Sequence, residues 1–183
     1  MSNKSLLVLS IATLVIIVAA VISSRDRAPR TAIETADLFP GLDGRVNEVS
    51  RIAIESPGGN VHILKGGTDW LVEEADNYPA RFDKVKKLVL DMAALDVLSR
   101  KTSNPRFYPE LGVEDPTSAG AASRLVTLTD PTGTELAAII LGNTRPGVGG
   151  GQFVRKPGSD QALLAGTALD APADPGEWIV TDL

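Results

Sequence analysis

Val49-Ser-Arg-Ile-Ala-Ile-Glu-Ser-Pro-Gly-Gly-Asn-Val-His-Ile-Leu-Lys65 decides the fold. Its first half has a period of two, with Ser50, Ile52 and Ile54 on one face and Val49, Arg51, Ala53 and Glu55 on the other. That alternation belongs to a half-buried strand. Ser56-Pro-Gly-Gly-Asn60 supplies residues that accept fixed or positive φ, so a hairpin loop is expected, with Val61-His-Ile-Leu-Lys65 returning as the second strand. Gly66-Gly-Thr-Asp69 then turns into Trp70-Leu-Val-Glu-Glu74 and completes a three-stranded meander.

Working outward, residues 82–98 carry Val85, Leu88, Val89, Met92, Leu95 and Leu98 at helical spacing. Asp83 is the expected N-cap, and Lys84, Lys86 and Lys87 are expected on the outer side. Residues 99–123 are polar and contain Pro105, Pro109 and Pro116, which reads as an ordered connection with a short turn. Arg124-Leu-Val-Thr-Leu-Thr129 alternates again. Asp130-Pro-Thr-Gly133 suits a type I turn, and residues 134–141 supply the partner strand. Strands at 152–156 and 161–165, separated by Pro157-Gly-Ser-Asp160, follow a glycine-rich stretch at 142–151. The expected class is α+β: an antiparallel sheet of hairpins and meanders over residues 49–183, with one main amphipathic helix packed on it.

Before this body stands Ser-Leu-Leu-Val-Leu-Ser-Ile-Ala-Thr-Leu-Val-Ile-Ile-Val-Ala-Ala-Val-Ile-Ser-Ser24, which holds no charge from residue 5 onward and includes twelve Leu, Ile or Val. At about 1.5 Å per helical residue it matches the ~30 Å hydrocarbon layer, so residues 1–24 read as a membrane anchor that contacts the bilayer through 5–24. A cleaved signal peptide fits less well, because the apolar run is long and no Ala-x-Ala site follows. Residues 25–48 read as a linker, with Leu38-Phe39-Pro40 docking locally on the fold. Lys4 precedes the span and Arg25, Arg27 and Arg30 follow it, a count that by itself places the body in the cytoplasm.

Charge and composition narrow the chemistry. Residues 1–30 hold four Lys or Arg against one Asp, +3, leaving 14 basic against 22 acidic residues, −8, for the rest. An acidic body repels phosphate backbones, so no nucleic acid is expected as a partner. There is no cysteine, and His62 is the only histidine. These scarcities remove thiolate metal sites, Cys nucleophiles and His-dependent triads, and no catalytic residue, cofactor or metal is expected. His62 should point away from the Val61 and Ile63 face, in a surface role without chemistry. Gly147-Val-Gly-Gly-Gly151 lacks the following helix that a phosphate cradle needs and reads as loop. Carboxylates cluster at Glu73, Glu74 and Asp76, at Glu110, Glu114 and Asp115, and at Asp170, Asp174 and Glu177, none with calcium-loop spacing. Trp70, Tyr78 and Trp178 are the candidate partner or ligand surface. Core anchoring is the default for both indoles, with hot-spot binding as their second use.

The order of these short patterns is itself informative. Val49-Ser-Arg-Ile-Ala-Ile54, Trp70-Leu-Val72 with Tyr78-Pro79 and the helix from Asp83, Leu111-Gly-Val113 with Pro116, and Val126-Thr-Leu-Thr-Asp130 with Gly133 come first. Ile140-Leu-Gly142, Phe153-Val-Arg155 and Glu177-Trp-Ile-Val-Thr-Asp-Leu183 follow. Together, after one N-terminal span, they resemble the domain of unknown function 4340 family. The resemblance implies a bacterial inner-membrane protein with its soluble domain in the periplasm, beside ABC-type transport or gliding-related components, and it implies no catalytic residues. It also implies a further strand-rich portion after Leu183, so the chain reads as a short member or a fragment.

Two functions from different classes follow. The leading one is a non-enzymatic module that binds a protein partner, such as an ABC-type permease or related envelope component, or an envelope polymer. The rival is a hydrolase of envelope carbohydrate using one carboxylate from Glu110, Glu114 or Asp115 and one from Asp170, Asp174 or Glu177. A purely structural domain of a larger assembly is the third option.

Overall fold

The computed structural model describes residues 36–147 and 150–180. Its strands are β1 Ala36–Asp37, β2 Arg51–Ser56, β3 Gly59–Gly66, β4 Asp69–Val72 and β5 Tyr78–Pro79, then β6 Asp96–Arg100, β7 Arg124–Thr129, β8 Glu135–Thr144, β9 Gln152–Arg155 and β10 Ala162–Ala165. Helix α1 is Phe82–Ala93 and α2 is the single turn Tyr108–Leu111. All ten strands lie in one antiparallel sheet, in the order β1-β6-β10-β9-β8-β7-β2-β3-β4-β5. The architecture is therefore mostly β, a coarser statement than the α+β class expected from sequence. The proposed anchor at residues 5–24 lies outside the described residues. Among those described, no helix is long and apolar enough to cross a membrane.

The expected meander is present, and its register fixes one apolar face. Ile52 pairs with Ile63 and Leu128, while Ile54 pairs with Val61 and Val126; all six are fully buried. Each such burial contributes roughly 1.5–3 kcal/mol. α1 covers this face with Val85, Leu88, Val89 and Met92, as their spacing predicts. The helix is shorter than expected, however. It stops at Ala93; Leu95 is buried beyond its end, and Leu98 lies in β6. Arg81, not Asp83, occupies the cap position and makes no side-chain cap bond; Asp83 sits in the first turn, where its charge opposes the helix dipole favourably.

Residues 36–48, read as linker, are part of the packed body. Leu38 and Leu42 are buried, the Leu38 amide donates to the Leu95 carbonyl at 2.8 Å, and Asp43–Glu48 forms a 3₁₀ helix. The expected docking of Leu38-Phe39-Pro40 is thus seen. The two edge strands are only two residues long, which leaves little unpaired backbone to template another sheet.

β8 runs to Thr144, three residues past its expected end, and Ala137 through Leu141 are all buried. Such a run means cover on both faces. Ala137, Ile139 and Leu141 belong to the α1 core; Ile140 belongs to a second cluster with Tyr108, Val113 and Ala162. The connection after β6 supplies that second cover through a 3₁₀ turn at Pro105–Phe107 and α2. Its backbone crosses β8 at Gly142, where a Cβ would collide with the Leu111 and Gly112 carbonyl oxygens, so only glycine fits.

Candidate functional site

The second face is closed around a buried cation, although Glu114 Oε2 in the same connection is buried with no hydrogen-bond partner among the described residues. Arg155 is buried, yet every arm of its guanidinium is used. Nε donates to the Val113 carbonyl at 2.8 Å, Nη1 to the Ser159 carbonyl at 3.0 Å, and Nη2 to Asp115 Oδ1 at 2.9 Å. The guanidinium also lies 4.7 Å from the Tyr108 ring centre, and the Tyr108 hydroxyl donates to the Asp160 carbonyl at 2.6 Å. Burial raises the Tyr108 pKa above its ordinary value, against the lowering pull of the Arg155 charge. Asp115, one of the rival carboxylates, is thereby held in a structural pair.

The carboxylates at the other end of the chain engage the opposite face. Lys84, expected on the outside of α1, is largely covered: its Nζ is 3.4 Å from Asp170 Oδ2, 3.8 Å from Glu177 Oε2 and 5.0 Å from the Trp178 ring centre. Asp174 caps the 3₁₀ turn Pro175–Glu177 by accepting from the Gly176 amide. Of the carboxylates that a glycosidase mechanism would draw on, Asp115 is paired with Arg155, whereas Asp170 and Glu177 flank Lys84. Among the described residues, no three His, Asp or Glu side chains are grouped to hold a metal ion.

His62 points away from Val61 and Ile63, as alternation requires. Its Nδ1 is 2.5 Å from Glu74 Oε1, and its amide donates to Glu74 Oε2 at 2.7 Å. Glu74 stands just beyond the end of β4, so its carboxylate takes over as hydrogen-bond acceptor for β3. Burial raises the Glu74 pKa, but the bonds from the His62 amide and ring outweigh it and leave the group below its ordinary value.

The three aromatic residues singled out from sequence separate. Trp178 is wholly enclosed, with Nε1 donating to the Pro172 carbonyl at 2.8 Å, and it anchors the core. Tyr78, on the edge strand, is 51% exposed. Trp70 is 8% exposed and lines a groove of about 420 Å³. The groove opens between the 3₁₀ helix at Asp43–Glu48, the β3–β4 turn and α1. Gly67, at φ +69°, makes that turn two residues long and brings Trp70 directly across from Lys65.

Buried Val49, Val85 and Val89 join Trp70 in the groove, and Phe82 and Leu90 stand open at 60% and 44% exposure. Phe82, Lys86 and Leu90 follow one another at four-residue intervals, a stripe beside the core-facing one on α1. Lys65 and Lys86 are the charged residues lining the groove. Neither has a side-chain partner among the described residues, whereas Lys84 and Lys87 on the same helix both pair with carboxylates. The groove combines large rigid apolar surface with two lysines that have no carboxylate partner among the described residues, a composition suited to binding. Reading α1 for its inward face leaves out Phe82 and Leu90, whose exposure depends on what the 3₁₀ helix at Asp43–Glu48 leaves uncovered.

The family model described as a domain of unknown function, DUF4340, matches residues 70–183, more than half of the chain and including most of the groove. No curated protein and no solved structure matches.

Proposed function

The chain belongs to the DUF4340 family, and from that premise we propose that it is a non-enzymatic binding module whose partner-binding surface is the groove between α1 and the β3–β4 turn. The observation that carries this reading is the pair of open apolar side chains, Phe82 and Leu90, set beside Trp70 in one groove, whereas the other exposed large apolar residues, Tyr78, Phe107 and Val180, lie outside it. Exposed large apolar residues grouped at a concavity mark interaction sites. The engagement of Asp115, Asp170 and Glu177 in ion pairs and of Asp174 in a cap supports a non-enzymatic role over the hydrolase.

In the same proposal, residues 5–24 anchor the chain in the bacterial inner membrane, the sheet domain stands in the periplasm, and the partner is a membrane protein such as the permease of an ABC-type system. Anchoring raises the effective concentration of the groove beside such a partner, so modest affinity is enough. The full chain extracted in mild detergent should co-purify with a membrane complex. Phe82→Ser/Leu90→Ser should cut recovery of the complex at least tenfold, while exposed positions of this kind change stability by less than about 0.5 kcal/mol. Undiminished recovery with that variant would remove the groove from the proposal, and a solitary wild-type protein would remove the partner.

A further inference from the structure

The groove's charge identifies the class of segment that fills it. Lys65 sits across from Trp70 in the β3–β4 register, and Lys86 lies between Phe82 and Leu90 on α1. Among the described residues no carboxylate lines the groove, although the chain has 23 Asp or Glu and a net charge of −5. Elsewhere on α1 lysines are matched: Lys87 to Asp91, and Lys84 to Asp170 and Glu177. Among the described residues, the two groove lysines have no counter-charge on this apolar site.

We propose that the groove takes a short acidic amphipathic segment of a partner protein, its apolar side chains seated against Phe82, Leu90 and Trp70 and its carboxylates paired with Lys65 and Lys86. This rests on the reading of the groove as the binding surface and adds the chemistry of its occupant. Phe82 and Leu90 are eight positions apart, about 12 Å along the helix. Two turns of an incoming helix cover that distance and present anchors at i, i+3, i+4 and i+7. The apolar contacts supply the affinity. The lysines select the partner, exclude cationic competitors and speed encounter, and their contribution falls with salt. An anionic bilayer offers the same charge but a flat surface, which cannot enter a concavity walled on three sides.

The test uses the full chain in phosphatidylcholine nanodiscs and follows tryptophan fluorescence, since Trp70 lines the groove and the other indole, Trp178, is enclosed. The probes are a 14-residue amphipathic peptide with Leu at i, i+3, i+4 and i+7 and Glu on the flanking positions, the same peptide with Lys for every Glu, and vesicles containing phosphatidylglycerol. The Glu peptide should bind at least tenfold more tightly than the Lys peptide. Lys65→Glu/Lys86→Glu should reverse that order, and raising salt should narrow it. Equal binding of the two peptides, an order unchanged in the double variant, or lysine-dependent binding to the anionic vesicles with no response to the Glu peptide would overturn the acidic-segment proposal. If Phe82→Ser/Leu90→Ser still abolishes co-purification in any of those cases, the groove remains the binding surface and only its occupant has been misassigned.

Discussion

The two faces of the sheet are finished in opposite ways. Over β8, β9 and β10 the connection through Tyr108 and Val113 closes a small apolar cluster around one buried cation, and all three nitrogens of Arg155 find acceptors. Over β2, β3 and β4 the α1 core is far larger, yet its margin is left open, with Phe82 and Leu90 unburied and Lys65 and Lys86 unmatched among the described residues. Satisfied polar groups lock a surface in place, whereas uncovered apolar and charged groups leave one available. In the proposed reading, the first face has a structural task and the edge of the second a recognition task.

The largest effect that would sharpen this contrast lies beneath the groove side. Trp178→Ala empties a fully enclosed indole site and strands the Pro172 carbonyl, so a loss of about 4 kcal/mol in urea unfolding is expected. On the opposite face, Arg155→Met preserves much of the apolar stem but removes the donors to Val113, Ser159 and Asp115; about 3 kcal/mol should be lost. A loss of less than 1 kcal/mol there would mean that the connection holds without its arginine, and the contrast between the faces would weaken. The smallest effect is at the β3 edge. Because the Glu74 pKa is depressed in the fold, its contribution is present above the unfolded carboxylate value of about 4.5 and is lost as pH falls through the lower folded value. Glu74→Gln should therefore flatten the acid limb of a stability–pH curve below about pH 5. An unaltered acid limb would show that the His62 bonds do not stabilise the charged carboxylate.

Much of the fold is legible in the sequence where one face is wet. The hairpin at β2 and β3 alternates cleanly, and the inward residues of α1 stand at helical spacing because lysines and an aspartate mark the other side. Legibility fails where burial is two-sided or partners are distant. β8 is covered above and below, so nothing in Ala137–Leu141 alternates and its extension to Thr144 is hidden. Leu95 and Leu98 continue the helical period by coincidence, but the first fills the core after the helix ends and the second lies in a strand. Lys84 looks like an outward lysine until Asp170 and Glu177, more than eighty residues later, arrive beside it. For the site, Trp70 was readable as one of two indoles placed at turns. Phe82 and Leu90 were not, since exposure depends on what the 3₁₀ helix at Asp43–Glu48 leaves uncovered.

Site-specific photo-cross-linking in native membranes compares the two faces most directly, using the same photoreactive phenylalanine at Phe82 in one experiment and at Phe107 in the other. Both side chains are exposed, at 60% and 47%, but only Phe82 lines the groove. Cross-linking to one membrane-protein partner from position 82 and not from 107 is the expected result. Equal yields from both positions, or a partner captured only from 107, would contradict the assignment of recognition to the α1 groove.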